Sequence, residues 1–157
     1  METVEPKMQH SMESLETIWT SIENRIDELE AIASSIIDLH WELVMQNEKP
    51  GWQNKSHLNL RIHRKGNNLR IDWTGVKWSS TANGKKYPLY THITKGKGSH
   101  TYTLSKLFAF AREWEKPLIE ETEKELAWIR REAFHLNRAL FSIRYAKAAA
   151  MRSKEGE

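Results

Sequence analysis

Residues 58–73 read LNLRIHRKGNNLRIDW, and their pattern decides the fold. Leu58, Leu60 and Ile62 alternate with Asn59, Arg61 and His63, and Leu69, Ile71 and Trp73 alternate with Arg70 and Asp72. Apolar residues recurring with period 2 mark a half-buried strand. The intervening Lys65-Gly66-Asn67 is a turn, so the two runs form an antiparallel hairpin. An even-length loop pairs Ile62 with Leu69, Leu60 with Ile71 and Leu58 with Trp73, and the apolar faces then agree. This register sets Arg61 opposite Arg70, with His63, Arg64 and Lys65 close by. Like charges directly opposite destabilise a sheet. Such a hairpin expects an anion across its charged face, with Asp72 as an internal partner that orients Arg61.

Working outward, Asn83-Gly84 signals a second hairpin of type I′. Its register places Val76 and Trp78 opposite Thr91 and Leu89. Trp73 and Trp78 differ in parity, so a bulge is expected at Thr74-Gly75. Trp73, Trp78, Tyr87, Leu89 and Ile93 then share one face, and Arg61, Arg70, Lys77, Lys86, Tyr90 and His92 share the other.

Both flanks are helical. Residues 11–47 carry an apolar stripe at steps of three and four, from Leu15 through Ile18, Ile22, Ile26, Leu29 and Ile36 to Leu43. Ser11 or Ser14 can cap it, and Lys49-Pro50-Gly51 stops it. A second stripe runs from Leu104 to Ala146, with Thr101 or Thr103 as its cap and Pro117 expected to kink or divide it. The predicted organisation is a disordered tail over 1–10, a long helix over 11–47, a basic meander over 53–102 and a long helix over 103–150 that frays at its end. The fold class is α+β: two long amphipathic helices, packed as an antiparallel pair, flank a three-stranded antiparallel β-meander. Trp41, Trp114, Trp128, Phe134 and Phe141 offer more apolar surface than one helical seam consumes, so a homodimer is expected.

Charge is segregated along the chain. Residues 1–52 hold 3 Lys/Arg against 11 Asp/Glu, whereas 53–106 hold 11 Lys/Arg and one acid, Asp72. Four of the seven histidines also lie in the middle third. This bears on partners rather than fold, and a local cationic excess of that size suits a polyanion. An antiparallel ribbon fits the major groove of duplex DNA. Asn59, Arg61, His63 and Arg70 are candidates for base edges, with Arg64 and Lys65 beside them. Lys77, Lys85, Lys86, Lys95 and Lys97 suit phosphates, which position without specifying. Tyr90 and His92 complete the face, Tyr90 being placed to stack on a base. The turn KGKGSH at 95–100 suggests a phosphate cradle, although it lacks the ending of a P-loop. The Arg130-Arg131 pair is either a further basic contact or a helix ion-pair site.

Other classes find less support. There are no cysteines, no HExxH, no His-x-His and no cluster of three histidines beside a tyrosine. An enzyme, a metal site and a cofactor are not expected. No apolar run approaches the roughly 20 residues of a membrane span, and the acidic start lacks signal-peptide character, which points to the cytoplasm. A protein-interaction adaptor built on the acidic first helix, or an RNA-binding module, are the alternatives.

The succession LRIHRKGNNLRIDW, NGKKY, ITKGKGSHTY, AREWEKPLIEETE and AWIRREAFHLNRAL, after a Trp-bearing helix, resembles the MobI-type auxiliary transfer proteins of integrative and conjugative elements and conjugative plasmids. The likeness spans roughly residues 40–140. It implies action at an origin of transfer, on specific duplex DNA, in support of a separate relaxase. It lends no catalytic residues.

Overall fold

The computed structural model describes residues 4–96 and 98–155. A helix α1 (Val4–Asn47) leads through a short 3-10 turn into β1 (Leu58–Lys65), β2 (Asn68–Ser80) and β3 (Lys86–His92). A five-residue helix α2 (Leu104–Phe108) and a 3-10 turn (Glu113–Glu115) precede α3 (Lys116–Glu155). The three strands form one antiparallel meander in the order β1-β2-β3. The α+β class and its element order are as the sequence predicts. α1 starts earlier than residue 11, and residues 1–3 of the expected tail lie outside the described residues.

The long helices run antiparallel. Glu16 meets Lys147, Arg25 meets Glu132 and His40 meets Thr122, so positions ascend on α1 as they descend on α3. The seam is built by Ile26, Leu29, Ala33 and Ile37 against Ile119, Leu126, Ile129 and Ala133, all buried. Leu58, Leu60, Leu69, Ile71 and Trp73 close the core from the sheet. The C-terminal helical stretch is divided near Pro117, one of the two outcomes expected there. Pro117 lacks the N–H that a helix interior needs but fits the first turn, and α3 accordingly begins at Lys116.

Both hairpin registers differ from the sequence-based ones. In the first, Ile62 pairs with Ile71, Leu60 with Trp73 and Leu58 with Gly75. The loop is only Gly66-Asn67, and Gly66 takes φ +60°, as the first central position of a type II′ turn requires. The slip is two residues, so the faces are unchanged, but Arg61 now stands opposite Asp72 and Arg70 opposite His63. In the second hairpin, Val76 pairs with Tyr90 and Trp78 with Pro88. Its loop is closed by Gly84 N–H to Thr81 O (2.9 Å) and Thr81 N–H to Lys85 O (2.9 Å), with Gly84 at φ +80°. This is a three-residue connection rather than a two-residue one. Pairing continues through Thr74 and Gly75 without the expected bulge. Gly75 is required for a different reason: a Cβ there would run into the Phe110 ring.

The missing bulge and the longer loop compensate. β3 therefore presents Tyr90 and His92 on the same face as Arg61, as predicted, while Lys77 and Trp78 exchange faces. Lys77 joins the Trp73 side, opposite Leu89, and Trp78 joins the outer side. The strands form a staircase: β1 covers β2 from Asn68 to Gly75, β3 covers it from Thr74 to Ser80, and they overlap only at Thr74 and Gly75.

Candidate nucleic-acid interface

One face of the meander is built by odd positions of β1 and even positions of β2 and β3; its Arg61–Asp72 half is open, while Val76, Trp78 and Pro88 line a pocket with Trp41 and Val44 of α1. Its rows run His63–Arg70, Arg61–Asp72, Asn59–Thr74–His92, Val76–Tyr90, Trp78–Pro88 and Ser80–Lys86. Arg61, His63, Arg70, Tyr90, His92 and Lys86 are exposed. Arg61, Ile62, His63, Arg70, Asp72, Thr74 and His92 line a groove of about 440 Å³. The Arg61 guanidinium reaches across the step of the staircase to lie over the Tyr90 ring, 5.7 Å from its centroid. Among the described residues, Arg61 has no acidic partner within ion-pair distance.

Asp72 is the hub of this groove. Its carboxylate accepts from Lys95 Nζ (3.4 Å) and from the Tyr102 hydroxyl (3.3 Å), and it pairs with Arg70 (3.5 Å). Burial and the Asp72 charge push Tyr102 up to about 12, so the hydroxyl stays a donor. The repulsion that the sequence implied between Arg61 and Arg70 is absent, because Asp72 stands between the two.

Beneath the groove lies a buried ionic network. The first half of β2 lacks a β3 partner, and Arg130 seals that open edge by donating from Nε to the Ile71 carbonyl (2.7 Å). The same guanidinium grips Glu123 through two bonds of 2.9 Å. Glu123 also accepts from the Trp73 indole (2.9 Å) and the Tyr102 amide (2.8 Å). Arg130 is therefore committed to the interior. The open choice between a contact residue and an ion-pair site resolves to the second for Arg130, while Arg131 is exposed.

Several predicted residues lie elsewhere. Arg64 follows Leu58, Leu60 and Ile62 onto the helix-facing side, where Asp27 and Glu30 of α1 hold its guanidinium and raise its pKa. Lys77 is on that side too, and exposed. Lys65 and Lys85 are exposed at the two turns, and Asn59 is half-buried. Lys97 lies outside the described residues. In the 95–100 turn, the Ser99 amide bonds Gly96 O (2.8 Å) and the Thr101 amide bonds Ser99 Oγ (3.1 Å), so these donors serve the turn rather than a phosphate.

Beyond Arg130 and Arg131, sequence reasoning passed over the other basic residues of α3. Over 126–154 the chain has seven Lys/Arg and one acid, Glu132, hidden inside a C-terminal third that is nearly neutral overall. Arg131, His135 and Lys95 face His100 closely enough to lower its pKa, after the larger effect of burial. Among the described residues there is no group of three or more His, Asp or Glu side chains able to hold a metal ion.

A family model described as MobI protein matches residues 29–144. The chain belongs to the MobI family. Membership implies an accessory role in conjugative mobilisation. No curated protein and no solved structure matches the chain. The match takes in the whole meander, most of both flanking helical cores and the Glu123–Arg130 network, so the groove lies within the part of the chain that matches the MobI family. No helix among the described residues is long and apolar enough to cross a membrane.

Proposed function

We propose that this MobI protein is a sequence-specific double-stranded DNA-binding accessory factor, without catalysis of its own. It acts in the cytoplasm at the origin of transfer and assists a separate relaxase. One observation carries this reading: side chains of β1, β2 and β3 converge on a single exposed cationic groove, with Arg61 and Arg70 flanking Asp72. A twisted antiparallel ribbon of this width suits the major groove. Arg61 and Arg70 suit bonds to guanine O6 and N7, and Asp72 suits acceptance from a cytosine amino group. Lys65, Lys85 and Lys86 flank the groove and suit phosphates. Of the predicted DNA contacts, Arg64 and Lys77 are left out, Arg64 because its charge is already met by α1 and Lys77 because it faces the Trp73 side.

A contact with protein is supported by the helical layer. Exposed Ile18 and Leu39 of α1 and Trp128 of α3 leave apolar surface that neither the seam nor the sheet covers. That surface suits a second copy of the chain or the relaxase.

The test is anisotropy of a labelled duplex from the transfer origin of the protein's own element. Cognate duplex should bind at least about a thousandfold more tightly than scrambled duplex, with log K falling linearly in log[salt]. Equal affinity for both removes the specificity. Retention of RNA hairpins in preference to duplex DNA would instead favour an RNA-binding module.

A further inference from the structure

The proposed DNA groove does not account for the outer side of α3. Arg131, Phe134, Arg138, Phe141, Arg144 and Tyr145 recur at helical spacing along its second half. The three aromatics are 43%, 47% and 72% exposed. Arg138 lies over the Phe134 ring (5.6 Å) and Arg144 over Phe141 (5.4 Å). Among the described residues, none of the three arginines makes an ion pair. Two other basic residues of this half of α3 are already paired, Arg130 with Glu123 and Lys147 with Glu16. The stripe is continuous with the sheet groove. His100 packs on Phe134 (4.8 Å), and Arg70, Asp72, Lys95, His100 and Phe134 line one crevice.

We infer that the α3 stripe is a second nucleic-acid site, one that takes an unpaired DNA strand leaving the duplex held by the sheet. The unpaired arginines call for a polyanion. The exposed rings narrow the choice, because a paired duplex keeps its base faces stacked and out of their reach. Unstacked bases offer flat faces to such rings, and cationic grooves interleaved with aromatics are how single strands are held without sequence preference. An arginine over one face of a ring adds a guanidinium plane to the same platform. About 14 residues of helix between Arg131 and Tyr145 span roughly 21 Å, room for several nucleotides.

This inference rests on a duplex occupying the sheet only for the junction geometry, and the experiment separates the two. Anisotropy is measured with blunt duplex, with the same duplex carrying a ten-nucleotide single-stranded overhang on either strand, and with the single strand alone. The variant is Phe141→Ala/Tyr145→Ala, two exposed positions outside the core, with helicity checked by circular dichroism. In the wild type one overhang polarity should tighten binding at least tenfold over blunt duplex. The variant should lose that gain and keep its blunt-duplex affinity. Arg61→Ala should do the reverse, weakening blunt duplex while leaving the overhang gain in place. No gain from either overhang, or a gain that survives in the Phe141/Tyr145 variant, overturns the inference. So does wild-type protein that binds phosphatidylglycerol vesicles through these residues but shows no overhang gain.

Discussion

Arg64 and Arg61 lie on the same strand and face opposite sides of one small sheet. On the helix-facing side, two arginines are matched before any ligand arrives: Arg64 meets Glu30 and Asp27, and Arg130 meets Glu123, the Ile71 carbonyl and the His100 carbonyl. On the outer side one carboxylate, Asp72, serves Arg70, Lys95 and Tyr102, and Arg61 lies over an aromatic ring. The difference teaches where cations stabilise the fold and where they are held for a partner. It also gives the comparison a measurable form. Inner-face changes should move stability, and outer-face changes should move binding.

The largest effect is expected at Glu123. It is 2% exposed and bonded to Arg130, Trp73 and Tyr102. Glu123→Ala leaves a buried guanidinium uncompensated, which costs about 3–5 kcal/mol. Urea unfolding followed by tryptophan emission reads it. Arg61→Ala should shift the same midpoint by under about 0.5 kcal/mol. Equal losses at the two positions would erase the distinction between the faces.

A smaller inner-face effect appears in the pH dependence. His40 is buried between Trp41 and Trp73 with Nδ1 at 2.8 Å from the Thr122 hydroxyl, and burial pushes its pKa down to about 4. The unfolded chain, with histidine near 6.5, binds the proton first, so unfolding becomes easier as pH falls. Stability from this residue is fully present above about pH 6.5 and lost towards pH 4, by roughly 3 kcal/mol. Glu115, raised by burial, acts with the opposite sign, which makes His40→Gln the needed control. A pH–stability curve with the same slope in wild type and variant would place the titration elsewhere.

On the outer face the expected losses are in recognition. Arg61→Ala or Arg70→Ala should cost about 1–3 kcal/mol of discrimination between cognate and scrambled duplex. Lys86→Ala should weaken all duplexes alike and lower the salt slope by about 1. Uniform weakening by Arg61→Ala would demote it to a phosphate contact.

Much of this division was legible in the sequence, and its failures have identifiable causes. The switch from period 3.6 to period 2 located helices and strands, because burial on one face imposes both periods. A register slip of two keeps every side chain on its face, so hydrophobic alternation could not detect it. Gly66 could have, since type II′ wants glycine at the first central position. At the second hairpin Gly84 ends a three-residue loop, and putting Trp78 on the face of Trp73 required a bulge that the pairing does not contain. Arg64 was misplaced by proximity to Arg61, although its parity with Leu58, Leu60 and Ile62 put it on the apolar face. Glu123 and Arg130, seven apart on the stripe of α3, carried the one available signal of the buried network. The basic half of α3 was masked by averaging over the acidic residues that precede it.

The smallest expected effect sharpens the comparison most. Arg64 has 20% of its side chain exposed, and Asp27 and Glu30 are more open still. Solvent screens such pairs, so Arg64→Ala should cost about 1 kcal/mol or less. Its guanidinium also bonds the Gly66 carbonyl (2.8 Å) and Asn67 (3.2 Å), and Asn67 in turn bonds Glu23 of α1. The loss should therefore appear as faster amide exchange at the Gly66-Asn67 turn rather than as global unfolding. DNA affinity and its salt slope should stay at wild-type values, because that charge never faced the groove. If Arg64→Ala instead weakens duplex binding as much as Arg61→Ala, the helix-facing side contributes to recognition and the two faces are not functionally separate.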